Sequence, residues 1–234
     1  MQSFMAKKTI LSVKNLVRTY GVGRAKTEAV KGISFNVEEG EFVALSGPSG
    51  SGKSTTFHQI ALLDNPTSGT ITFGEKNIIN LDEDSKSDFR LKKIGYIFQH
   101  YELLPELTAI ENIYLPLMVN GGITPEVRQK AEKILRDMSL LERKDHYPAE
   151  LSGGEQQRIA IARALIKEPE IILADEPTAN LDSLAGIKIM ETLKELNKKK
   201  GITIFVINHE RAFEKYFDRI ILLKDGRIER IDKK

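Results

Sequence analysis

The 234-residue sequence implies an α/β protein, a parallel sheet with helices packed on it. Short apolar runs recur along the chain and alternate with stretches of helical period. A glycine-rich loop joins one such run directly to a helical stretch. Hydrophobic residues make up 41% and charged residues 29%, the balance of a globular chain, and this length can bury roughly 70% of the unfolded surface.

The elements follow in order. Residues 10–17 read as a strand and 21–23 as a turn. Residues 33–37 alternate Ile33, Phe35 and Val37 with Ser34 and Asn36, a half-buried strand, before the turn at 38–40. Residues 42–45 are apolar and bounded by Gly40 and Gly47, too short for a helix and suited to a buried strand. Residues 55–63 are helical in pattern, and 71–73 and 94–98 are strand-like. Thr124 and Pro125 mark a helix start, followed by Val127, Ala131, Ile134, Leu135 and Met138 at helical spacing. A second helix runs over 152–166, so that about 99–163 forms a helical segment between strands. The remainder reads as a strand at 171–174, an amphipathic helix at 185–196, a strand at 202–207 and a short strand at 220–223 ending at Asp225-Gly226. No linker, repeat or low-complexity tract divides the chain.

Composition excludes several functions. The chain has no cysteine, which removes disulfides, thiolate catalysis and cysteine-ligated metal and is compatible with a reducing cytoplasm. The longest apolar runs are four residues, whereas a membrane-spanning helix needs about 20. Residues 1–8 hold no apolar core of the length a secretory signal needs. A net charge of +2 gives no reason to expect nucleic acid as a partner, and Lys198, Lys199 and Lys200 read as a solvated helix end.

Three motifs carry chemistry. Gly47-Pro48-Ser49-Gly50-Ser51-Gly52-Lys53-Ser54, followed by Thr55, fits G-x-x-x-x-G-K-[ST] between a strand and a helix. Its glycines let successive backbone N–H groups turn toward phosphate oxygens, and the helix start adds partial positive charge. Lys53 then reaches the β- and γ-phosphates, and the Ser54 hydroxyl ligates Mg²⁺. The second motif is the apolar strand 171–174 ending in Asp175-Glu176. It delivers Asp175 to the Mg²⁺ shell and Glu176 to an attacking water as general base. The third is Leu151-Ser152-Gly153-Gly154-Glu155-Gln156-Gln157-Arg158. Ser152 with Glu155 is a capping box, but a cap does not need two glycines in the first turn, where each costs about 1 kcal/mol against alanine. Two glycines there bare N–H groups to an anion.

With these motifs together, residues 10–231 resemble the ATP-binding subunits of ABC transporters. The resemblance implies a P-loop NTPase fold: a RecA-like parallel core, an N-terminal antiparallel β subdomain and an inserted helical subdomain. It implies one domain over 1–234, with the core and β subdomain at about 10–98 and 164–234 and the helical signature subdomain at about 99–163. It further implies that Ser152, Gly153, Gly154 and Glu155 of one copy cap the ATP held by the phosphate loop of another. Two MgATP are then sandwiched in a head-to-tail homodimer that powers integral-membrane permease subunits from the cytoplasmic face.

Other roles come from the same resemblance. Gln99 matches a glutamine that ligates Mg²⁺ and senses the membrane partner. Asp182, within Asn180-Leu181-Asp182, matches a loop coupling the two sites and is equally a helix N-cap. His209 matches a switch histidine at the γ-phosphate, and Tyr20 an aromatic that stacks on adenine. Catalysis thus falls to Glu176, His209, Lys53 and Gln99, and metal binding to Ser54, Gln99 and Asp175. Glu155 stands where glutamine is commoner, and Asn208 and Glu210 flank His209 where a hydroxyl residue and aspartate are more usual. His58, His100 and His146 match nothing. Thr108-Ala109-Ile110-Glu111-Asn112-Ile113 and Leu115-Pro116-Leu117 look most like the lipoprotein-release and macrolide-export branch. The alternatives are a regulatory subunit of a membrane complex without cargo, a soluble ABC ATPase, and a plain phosphate-loop kinase, which the Ser152-Gly153-Gly154 segment opposes.

Overall fold

The computed structural model describes residues 8–21, 23, 26–118 and 122–233. Val22, within the turn expected at 21–23, and most of 1–8 lie outside the described residues. Strands β1 (Thr9–Tyr20) and β2 (Thr27–Glu38) pair antiparallel, with Ser12 opposite Asn36 and Tyr20 opposite Thr27. The alternation read at 33–37 holds, with Ile33, Phe35 and Val37 buried and Ser34 and Asn36 exposed. Strand β3 (Phe42–Ser46) leads through the glycine loop into helix α1 (Lys53–Ile60). Strands β4 (Ser68–Phe73) and β5 (Lys76–Asn77) complete a four-stranded sheet in the order β2-β1-β4-β5.

Helix α2 (Glu83–Lys93) and strand β6 (Ile94–Ile97) follow. Then come helices α3 (Ala109–Met118), α4 (Pro125–Asp137) and α5 (Gly153–Leu165). The chain returns through β7 (Ile171–Asp175), α6 (Ser183–Lys200), β8 (Thr203–Ile207), β9 (Arg219–Lys224) and β10 (Arg227–Lys233). The second sheet runs β10-β9-β3-β8-β7-β6. Its strands from β9 to β6 are parallel, and β10 pairs antiparallel with β9.

The central strands read as continuous apolar runs because both faces are covered. Phe42 and Ala44 of β3, Ile172 and Ala174 of β7, and Ile204 and Val206 of β8 pack on one side with α3, α4, α5 and α6. Val43, Leu45, Leu173, Phe205 and Ile207 pack on the other side with α1 and the antiparallel sheet. One sheet thus divides two apolar layers by the two-residue period of its strands.

Three expectations are corrected. The sheet is not wholly parallel, because Asp225 (φ 49°) and Gly226 (φ 78°) turn β9 back into β10; positive φ at both central residues is the hairpin geometry. Strand β10 escaped the apolar pattern because its residues are mostly exposed. Helix α2 escaped it because only Phe89 and Lys86 are buried; its start is set by Asp82, whose carboxylate accepts the Ser85 N–H at 2.7 Å. The helix expected over 55–63 begins instead at Lys53 and ends at Ile60, and Leu62 is already left-handed (φ 57°).

Candidate functional site: a phosphate-loop cleft and a second glycine tip

The loop between β3 and α1 opens a cleft of about 560 Å³ lined by Ala29, residues 47–50 and 52–55, Glu176 and His209. Backbone crowding dictates its glycines. A Cβ at Gly47 (φ 145°) would lie 2.1 Å from the Leu223 carbonyl oxygen, and one at Gly52 (φ 98°) 2.5 Å from that of Ala29. Gly52 caps α1 without any side-chain bond, so the first-turn N–H groups stay available to an anion. Ser51 is buried and lies behind the lining.

Lys53 is buried, and its ammonium donates to the carbonyls of Gly47 (2.9 Å) and Pro48 (3.0 Å). Burial holds its pKa below the usual lysine range, opposed by the charges of Glu176 and Asp175. Strand β7 brings those two carboxylates to the same end of the sheet as the loop. Burial pushes the Asp175 carboxyl up, while His58 and Lys53 favour its charge. The Tyr96 hydroxyl donates to Asp175 at 3.4 Å, and burial together with that carboxylate raises the phenol's own pKa. Glu176 takes a left-handed backbone (φ 44°), which turns it away from the strand direction of Asp175. Its carboxylate stands 3.5 Å from His209 Nδ1.

The residues flanking His209 are held inward. Asn208 is buried, with its N–H on the Leu45 carbonyl and its amide on the Glu210 carbonyl. The Glu210 carboxylate accepts from Thr178 Oγ1 at 3.0 Å. Both unusual neighbours are therefore occupied, and His209 alone projects, its side chain 51% exposed.

The second glycine tip lies elsewhere. Ser152, Gly153, Gly154, Arg158, Asn180 and Asp182 line a cleft of about 370 Å³ that shares no lining residue with the first. The capping box read at Ser152 and Glu155 is formed. Ser152 Oγ donates to Glu155 Oε2 at 2.7 Å, and the Ser152 N–H does so at 2.9 Å. These bonds keep the Glu155 carboxyl below its ordinary range. Glu155 is engaged in the cap and is not among the cleft's lining residues. Asp182 caps α6 by accepting the Ala185 N–H at 2.8 Å.

Besides Ser51 and Glu155, the candidates Asp175, Gln99 and Tyr20 are not among the lining residues of either cleft. The Gln99 backbone carbonyl accepts from Asn180 Nδ2 at 2.8 Å just beyond β6. Tyr20 ends β1 with its hydroxyl on Asp64 (2.9 Å) and the Arg18 guanidinium 4.4 Å from its ring centroid. His58 and Tyr96 were missed as neighbours of Asp175. The available signal was spacing, since His58 is four residues from Ser54 on α1 and so shares its face.

The donors fit nucleotide chemistry. Ser54, Asp175 and Gln99 offer oxygen atoms, and no group of three or more His, Asp or Glu among the described residues could hold a metal alone. A small hard cation at such a site completes its shell from phosphate oxygens and water.

The comparisons agree. A family model described as ABC transporter matches residues 30–179. MJ1508 of Methanocaldococcus jannaschii, an uncharacterized ABC transporter ATP-binding protein, is 47% identical over 95% of this chain and 99% of its own. The lipoprotein-releasing system ATP-binding protein LolD of Geobacter metallireducens is 42% identical over 94% and 98%. The ATP-binding cassette MJ0796, solved as a post-hydrolysis dimer with ADP and Pi, superposes with a TM-score of 0.87 at 44% identity over 95% and 98%. Alike in sequence over nearly its full length and in backbone course, the chain belongs to the ABC transporter family, and it is an ATP-binding cassette that hydrolyses ATP.

Proposed function

We propose that two copies of this chain close head-to-tail around two MgATP and that closure and reopening drive a separate membrane permease. One observation carries the reading: a single chain bears two glycine-lined helix tips in clefts with no residue in common. In this reading a phosphate held at the first tip is capped by the second tip of another copy. The dimeric state of MJ0796 supports this arrangement.

In this reading Gly47–Thr55 hold the phosphates and Tyr20 stacks on the base, its ring steadied by Arg18 and Asp64. Lys53 exchanges its two carbonyl partners for phosphate oxygens. Ser54, Asp175 and Gln99 would hold Mg²⁺, which when bound neutralises charge on the phosphates. Glu176 takes the proton of the attacking water, and His209, 3.5 Å away, steadies the carboxylate and reaches the γ-phosphate. Lys53 and the amides of the opposing tip stabilise the charge that develops. Asp182 lies beside that tip and links the two sites.

We read residues 99–163 as the helical signature subdomain and the rest as the core with its β subdomain. None of the described helices is long and apolar enough to cross a membrane, and in this reading the permease is a separate subunit. The cassette then works peripherally at the cytoplasmic face. Its likeness to LolD favours an exporter or extractor of lipoprotein, peptide or drug.

The test is Glu176→Gln. ATP should still bind, turnover should fall at least about 100-fold, and a stable dimer should accumulate in ATP by analytical ultracentrifugation. Turnover near the wild-type rate removes Glu176 as the base, and a monomer at saturating ATP removes the sandwich.

A further inference from the structure

The segment leaving β6 carries backbone strain that phosphate binding does not use. Tyr101 (φ 61°) and Glu102 (φ 49°) are both left-handed, in succession. Such conformations cost free energy in non-glycine residues and persist only where the surroundings impose them. Here Arg163 of α5 grips both residues, and the Glu102 N–H bonds the His100 carbonyl. The Arg163 guanidinium donates to the Tyr101 carbonyl at 2.6 Å and also to that of Glu102.

The strained segment is tied to two further parts of the second cleft. Asn180 Nδ2 donates to the Gln99 carbonyl (2.8 Å) and lies 3.1 Å from His100 Nδ1. In return the Tyr101 hydroxyl donates to the Asn180 carbonyl at 3.3 Å. The same hydroxyl abuts the glycine tip. A Cβ at Gly153 would lie 2.9 Å from Tyr101 Oη and 3.3 Å from Leu181 Cδ2. Burial raises the pKa of this phenol and keeps it a donor.

We propose that Tyr101 is a positioning residue that locks the tip of α5 and the 180–182 loop to the segment leaving β6, so that the three move as one body. Gly153 is then glycine for a reason besides anion access, because the hydroxyl occupies the space a side chain would need. A displacement of residues 99–102 reaches the tip that caps the opposing nucleotide without passing through the first cleft. The inference rests on the head-to-tail reading above.

The test is a double-mutant cycle of Tyr101→Phe and Gly153→Ala in the Glu176→Gln background, read as the ATP concentration for half-maximal dimerisation. Tyr101→Phe should raise it about 3–10-fold, the worth of one hydrogen bond, while ADP affinity of the monomer stays unchanged. Gly153→Ala should raise it further, and adding Tyr101→Phe should partly restore dimerisation by removing the atom the new methyl meets. Equal dimerisation by Tyr101→Phe, or additive effects without rescue, overturns the lock.

Amide exchange of the nucleotide-free monomer decides the lock even if no dimer forms. The N–H of Leu181 bonds the Thr178 carbonyl and that of Gln156 the Ser152 carbonyl. Both should exchange several-fold faster in Tyr101→Phe, and unchanged protection refutes the proposal. A wild-type-like monomer in ATP with faster exchange would instead refute the sandwich and keep the lock.

Discussion

Lys167 shows how burial and charge act on one side chain. It lines an apolar groove with Leu63, Leu91, Tyr96 and Phe98. Its ammonium donates to the carbonyls of Arg90 (3.1 Å) and Ile94 (2.7 Å), fastening the start of β6. Burial first and Arg163 second lower its pKa to about 8. The unfolded chain therefore holds this proton up to higher pH than the folded one. Below pH 8 both states are charged and the folded state carries the full cost. As pH rises through 8 toward the ordinary lysine value, the folded lysine becomes neutral first and stability rises. Compared with Lys167→Gln, the wild type should gain Tm between about pH 7 and pH 10, measured by paired thermal melts. Parallel curves would show that the ammonium is not held as described.

The glycine loop and the helix proposed to hold the phosphates make a different demand. Gly52→Ala adds a side chain at φ 98° with a carbonyl 2.5 Å away, whereas Gly32→Ala adds one at φ 78° with nothing within 4 Å. Both pay the left-handed penalty of about 1–2 kcal/mol, but only the first must also move backbone. Gly52→Ala should lower Tm more than Gly32→Ala and weaken ATP binding at least about tenfold, by calorimetry. Equal losses would mean that the loop relaxes freely.

The cap of α4 by Thr124 was legible because its chemistry is local: Thr124 Oγ1 accepts the Val127 N–H and Pro125 sits in the first turn. Helix α2 and strand β10 were not legible, since exposed polar elements leave no apolar period to read. The positive φ of Glu176 was also hidden, because the packing around it, not its own preference, holds it there.

The proposed head-to-tail dimer joins the two clefts. Ser152→Arg places a long cation at the second tip and leaves the phosphate loop intact. The monomer should bind ATP with unchanged affinity, fail to dimerise and lose at least about tenfold in hydrolysis, by calorimetry and phosphate release. Hydrolysis at the wild-type rate would show that each cleft works alone.

The linear order of residues already contained the phosphate loop, the paired carboxylates and the second glycine tip. Each is a contiguous segment whose chemistry depends on its own backbone and nearest neighbours. Folding alone settled the separation of the two tips, the approach of His209 to Glu176 and the knot of Tyr101 with Asn180 and Arg163. Those contacts join residues 33 to 79 positions apart, and tertiary packing, including the crossover connections of the parallel strands, brings such distant positions together.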